Sequence, residues 1–174
     1  MYSPVNRINY GLTMENYTLD RTDFEILRLL QNNAQESNKV IAAHVNLAPS
    51  TCHERIKRLS ALGVITGHHS HVDPRFYGIG LEALFFIKLS KHNRDEVHNF
   101  LDTIMAIHEV RTAYLLAGDH DIIAHVWVKD VEHLQNLAFD QFTARDNIVA
   151  FETSVIFERR TSHVLEHTVE QRQK

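Results

Sequence analysis

The chain has 174 residues, 44% of them hydrophobic and 23% charged, with a formal net charge of −4 and one cysteine, Cys52. That composition describes a globular protein able to bury a core, as one mid-sized domain or two small ones. It excludes an intrachain disulfide, a cysteine-only zinc site and a wholly basic nucleic-acid binder, and no apolar run approaches the roughly 18–20 residues needed to span a bilayer.

A lone cysteine fits a reducing, cytoplasmic setting. Met1 to Thr18 lacks the apolar core flanked by positive charge that marks a signal peptide. Charge is uneven along the chain: 8 basic and 7 acidic residues up to Arg75, then 10 basic and 15 acidic. The first half is the better partner for DNA. Its small margin means that one copy grips phosphates weakly and a dimer grips them better.

Residues 1–18 are polar with scattered aromatics and are expected to form a tail. Leu19, Ile26, Leu27, Leu29 and Leu30 then recur at helical spacing. Asp20 is a good N-cap and Asp23 sits in the first turn, so a helix is predicted from about Arg21 to Asn32, where Asn32-Asn33 stops it. Ser37 caps a second helix with Val40, Ile41 and Val45 inward, closed by Asn46 in a left-handed conformation. Pro49 suits a first helical position. Cys52, Ile56, Leu59 and Leu62 continue as an inward stripe that ends at Gly63. Two short helices joined this tightly after a longer one are a helix-turn-helix.

Val64 to Val72 suits a short hairpin, or wing, bent at Gly67 and broken by Asp73-Pro74. Residues 74–81 read as a linker. Beyond it, Leu84 to Leu89 is a near-continuous apolar strand, and Asp95 to Ala106 is a helix with Val97, Phe100, Leu101 and Ile104 on one face. Val110 to Leu116 and Ile122 to Val128 are strands around a turn. Val131, Leu134, Leu137 and Ala138 mark a second helix, and Val149, Phe151, Thr153, Val155 and Phe157 alternate along a last strand. The fold class is therefore α+β, with a winged helix-turn-helix over residues 19–73. A ferredoxin-like βαββαβ unit follows over 82–158, with 159–174 as a tail. Both helices of that unit lie on one sheet face, so the other face needs a cover and self-association is expected.

Two stretches carry chemistry. The third helix leaves Ser50, Thr51, His53, Glu54, Lys57 and Arg58 outside its apolar stripe. Ser and Thr bond phosphates or base edges, and Lys and Arg pair with phosphates or guanine, so these residue types suit a major groove. The plain alternative is the solvated face of a structural helix. Arg55 lies near the stripe, placed to hold the helices together through a carboxylate. In the loop Gly118-Asp119-His120-Asp121, exposed N–H groups receive a carboxylate, and Asp119 or Asp121 receives an amino group. An amino acid offers both halves. An ordinary hairpin turn is the bland alternative.

The stretches Leu19 to Asp23 with Ile26-Leu27, then Leu47-Ala48-Pro49-Ser50-Thr51-Cys52-His53-Glu54-Arg55-Ile56-Lys57-Arg58-Leu59, then Leu62 to Gly67, and finally Gly118-Asp119-His120-Asp121, resemble the Lrp/AsnC family of leucine-responsive, or feast/famine, regulators. The resemblance covers roughly residues 19–158. It implies a winged helix-turn-helix reading double-stranded DNA and a C-terminal αβ sandwich sensing a small effector. It further implies dimers that assemble, commonly into octamers, with an amino acid held between dimers. It adds Leu116, Ala117, Thr153 and Ser154 to Gly118, Asp119 and Asp121 as pocket positions. No catalytic residue, metal or other cofactor is implied. Where the family has glycine-leucine-serine before the recognition helix, this chain has Asn46-Leu47-Ala48. Ser60 stands where a glutamate is usual, and Phe151 where a threonine is common.

Of the 13 histidines, His68, His69 and His71 cluster in the wing, and His163 and His167 are four apart. Solvated histidines are the preferred reading, and a metal-sensing regulator is the rival. Cys52 is read as a small buried packing residue and Trp127 as part of the sheet or dimer face. An enzyme on the ferredoxin-like unit lacks a nucleophile–base pair at useful spacing and a phosphate-cradling glycine loop.

Overall fold

A computed structural model describes residues 18–90 and 93–165. They fall into two compact units, one of residues 18–71 with 160–165 and one spanning Val72–Arg159.

The first unit is three helices: α1 (Arg21–Asn32), α2 (Asn38–His44) and α3 (Pro49–Ala61). α1 starts in a reciprocal capping box, with Asp20 and Asp23 each accepting the other's backbone N–H. Ser37 caps α2, and Asn46 closes the turn at φ 54°. The Asn38 side-chain amide donates to the Pro49 carbonyl at 2.7 Å, tying α2 to the start of α3. Ile26, Ile41, Ala42, Cys52 and Leu59 are buried together at the crossing. Each large aliphatic there contributes about 1.5–3 kcal/mol. Burial pushes the Cys52 thiol above its usual range, away from the reactive thiolate.

The hairpin expected over Val64 to Val72 does not form. Val64 and Ile65 pack on the helical core, but the chain beyond them makes no ladder. Gly67 to His71 has no apolar residue to bury, and an isolated two-stranded hairpin is marginal in water. Leu165 N–H donates to the Gln31 side chain within this unit, so part of the stretch expected as a tail is hydrogen-bonded to α1 while the Leu165 side chain stays exposed.

The second unit is β1 (Leu81–Leu89), α4 (Arg94–Met105), β2 (Val110–Leu115), β3 (Ile122–Val128), α5 (Val131–Ala138) and β4 (Ile148–Ile156), in the antiparallel order β2-β3-β1-β4. This is the βαββαβ unit. The stretch 74–81 belongs to it rather than forming a free linker. Pro74–Tyr77 is one 3₁₀ turn, and Gly80 N–H donates to the Val128 carbonyl. A Cβ at Gly80 would lie 2.5 Å from the Lys129 carbonyl oxygen, so no other residue fits there unshifted.

Ala83, Phe85, Ile87 and Leu89 of β1 point into a core shared with β3, with Val97, Phe100 and Ile104 of α4, and with Leu134 and Leu137 of α5. After Leu137 the helical period breaks: the next buried residue is Phe142, five positions on, while Phe139 between them is exposed. A single π-helical turn, Phe139–Thr143, absorbs the extra residue and delivers Phe142 to the core, 4.9 Å ring to ring from Phe85.

The opposite sheet face carries Leu84, Phe86, Ile123 and Trp127, all only half-buried. Among them sits a polar cluster. His125 Nε2 is 3.0 Å from Glu82 Oε2, which Arg159 also reaches at 3.3 Å. The guanidiniums of Arg111 and Arg159 lie over the Trp127 ring, 5.1 and 5.7 Å from its centre.

Candidate functional site

The side of α3 away from Cys52 and Leu59 presents Ser50, Thr51, His53, Glu54 and Lys57 to solvent. These are five of the six positions the sequence singles out. Lys57 takes part in no ion pair among the described residues. The helix begins at Ala48, whose backbone is extended like an N-cap but whose methyl accepts nothing. The N–H groups of Ser50 and Thr51 therefore lack a side-chain cap and are available to an anion, such as a phosphate.

Arg58, the sixth position, has a structural duty. Its Nη2 is 2.5 Å from Asp23 Oδ2, and the Asp23 side chain is only 1% exposed. Arg55 joins the same carboxylate at 2.9 Å and Asp20 at 2.7 Å. The Arg55 hydrogen bond, helped by the Asp23 backbone N–H, holds the Asp20 carboxyl below its ordinary range, and the two aspartates raise Arg55 in return. Both arginines thus clamp α3 to the start of α1. The Arg55 placement follows the sequence expectation, whereas the Arg58 commitment to Asp23 does not.

In the second unit, Leu116, Ala117, Gly118 and Asp119 are exposed on the turn between β2 and β3. Asp121 is not open like its neighbours. It is half-buried, its carboxylate accepts Leu89 N–H at 2.7 Å, and its backbone bonds Ile87 and Leu116. Asp121 therefore shapes the loop. Gly118 has no positive φ, and a Cβ there would meet nothing within 4 Å. The turn itself does not demand glycine at that point.

Thr153 and Ser154 do not come together. Thr153 pairs with Phe85 on the helix side of the sheet and Ser154 with Leu84 on the opposite side, because successive strand residues alternate. One pocket within a protomer takes one of them, not both. Phe151 lies on the helix side, 4.9 Å ring to ring from Phe85, as core filling.

The structure also brings forward residues that sequence reasoning passed over. His120, inside the loop motif, folds onto the Ser154 side of the sheet. Its ring is 5.5 Å from Phe86 and its Nε2 is 3.4 Å from Glu152 Oε1. The strand alternation around Phe151 and Thr153 was the available signal for Glu152.

Among the described residues, no three histidine, cysteine or acidic side chains converge as a metal site. The His71 and His163 rings lie 4.5 Å apart, and His167 lies outside the described residues. No described helix is long and apolar enough to cross a membrane.

Comparison with known proteins agrees with this layout. Residues 19–66 match the winged helix-turn-helix DNA-binding family, and residues 82–165 match the Lrp/AsnC ligand binding domain. The HTH-type transcriptional regulator AldR of Mycolicibacterium smegmatis is 36% identical over 80% of this chain and 82% of its own length. The transcriptional regulator AzlB of Bacillus subtilis is 36% identical over 84% of this chain and 94% of its own. The L-Met complex of a transcriptional regulator from Neisseria meningitidis shares the fold, with a TM-score of 0.78 at 24% identity over 85% of this chain and 97% of that one. The chain belongs to the Lrp/AsnC family of transcriptional regulators, with a DNA-binding helix-turn-helix followed by a ligand-binding domain.

Proposed function

We propose that two or more copies of this protein read operator DNA through the exposed side of α3 and respond to an amino acid bound at the loop of residues 116–121. The observation that carries the DNA reading is the segregation of α3. Cys52 and Leu59 are buried, while Ser50, Thr51, His53, Glu54 and Lys57 face outward around an uncapped helix start. In a dimer, two such helices address paired half-sites.

The effector reading is supported by the exposed loop, by the room above Gly118, and by His120 and Glu152 on the adjoining sheet face. The relative from Neisseria meningitidis holds L-Met. The half-buried Leu84, Phe86, Ile123 and Trp127 support a homodimer through the sheet, with dimers assembling further toward an octamer. The effector then changes how dimers pack and how many readers engage one DNA. The protein works in the cytoplasm, without catalysis and with no cofactor besides the effector.

Gly118→Ala tests the loop. The added methyl meets no protein atom, so thermal stability is expected to stay within about 0.5 kcal/mol of the parent. Stabilisation by the amino acid that best protects the parent is expected to fall. Undiminished ligand protection in that variant would remove the loop from the site.

A further inference from the structure

At the opposite end of β2 from the loop, a cleft of about 510 Å³ opens between the end of α4 and the α5–π-turn segment. That volume lies in the range of small-molecule sites. π-helical turns recur at functional sites because the extra residue re-aims side chains. Here the turn fixes Arg145. Its Nε donates to the Gln141 carbonyl at 2.5 Å, and its guanidinium lies 5.6 Å from the centre of the Phe100 ring. No carboxylate among the described residues pairs with it. The cation is thus held in place with donors to spare.

The same cleft is lined by two acids, Glu109 and Asp140. His133 accepts Lys129 N–H at Nδ1, so its proton sits on Nε2 and is donated to Glu109 Oε1 at 3.0 Å. That bond uses one Glu109 oxygen, and Asp140 is exposed. A simple anion would meet these two carboxylates, and a simple cation would meet Arg145. A molecule carrying both charges satisfies all three groups.

We propose that this cleft is a second ligand site, for a small zwitterion of the α-amino-acid class, with its carboxylate on Arg145 and its ammonium against Glu109 and Asp140. It is separate from the loop of residues 116–121 and does not depend on that loop binding anything.

Titration calorimetry of the full chain with each of the twenty L-amino acids tests the site, with acetate as the carboxylate-only probe. At least one amino acid is expected to bind in a phase that Arg145→Gln weakens by about tenfold or more, the loss of one charge-assisted contact. Asp140→Asn is expected to weaken the same phase, and it preserves the test if Arg145→Gln fails to fold. Gly118→Ala is expected to leave that phase unchanged. The proposal is overturned if no amino acid shows a phase sensitive to Arg145 and Asp140, or if acetate binds there as tightly as the amino acid. Binding lost in Gly118→Ala but intact in both cleft variants overturns this site and upholds the loop, and the reverse pattern overturns the loop alone.

Discussion

Asp23 of α1 and Arg58 of α3 are joined by a 2.5 Å ion pair in which the acid is almost fully buried and the base is half exposed. Arg55 completes the clamp on the other carboxylate oxygen. Removing Asp23 takes away the buried member and leaves two arginines that solvent reaches, so the cost is that of the lost charge-assisted hydrogen bonds, about 1.5–3 kcal/mol. Asp23→Ala also deletes the acceptor for the Asp20 N–H. Urea denaturation followed by circular dichroism is expected to show a loss of that size in the first unit. A loss below about 1 kcal/mol would mean that the clamp is ornamental.

Lys57 separates recognition from stability, which Arg58 does not. Lys57→Ala is expected to leave the unfolding midpoint unchanged and to weaken operator binding. The slope of log affinity against log salt is expected to fall by about one per engaged subunit, as for a lost phosphate contact. Fluorescence anisotropy at several salt concentrations measures both quantities. An Arg58 substitution mixes a lost clamp with any lost DNA contact and is the poorer probe.

The start of α3 has cap geometry without a cap. Ala48→Ser supplies the missing acceptor for an N–H of the first turn, and is expected to stabilise the protein by about 0.5–2 kcal/mol. If those N–H groups serve a phosphate, the same serine competes with it and operator affinity falls. Thermal melts and binding titrations on the one variant report the two effects separately.

Asp20 gives the first unit an acid limit. Its carboxyl is held below the usual range by Arg55, so the folded state favours the ionised form. The stabilisation is complete above the unfolded aspartate value, roughly 3.9, and is lost as pH falls through the lower folded value. Asp20 is about half exposed, so solvent screens the effect and the slope is shallow. Melting temperatures recorded across that acid range are expected to drop, with a flatter drop in Asp20→Asn.

The helix-turn-helix was legible because its signals are local. Asp20, Ser37 and Pro49 each announce a helix start through their own chemistry, and the stripe from Cys52 to Leu59 keeps a 3.6 period. The wing was not legible as it stands, because Gly67 to His71 has neither alternation nor an apolar face to fix a pairing. The π-turn hid for the opposite reason: Phe142 follows Leu137 by five, and a strict helical period sends Gln141 inward instead. The commitment of Arg58 to Asp23 spans 35 residues and depends on how two helices cross, which no local pattern records. The division of Thr153 from Ser154 between the two sheet faces was legible from strand alternation alone.

The charged cluster around Trp127 governs what is allowed to cover the sheet. A hydrocarbon surface laid over it would strip water from the Glu82 carboxylate and from two guanidiniums without replacing a single hydrogen bond, an outlay of several kcal/mol. Any surface that covers this face must therefore offer polar partners to Glu82, Arg111 and Arg159 as well as apolar contact to Leu84 and Phe86.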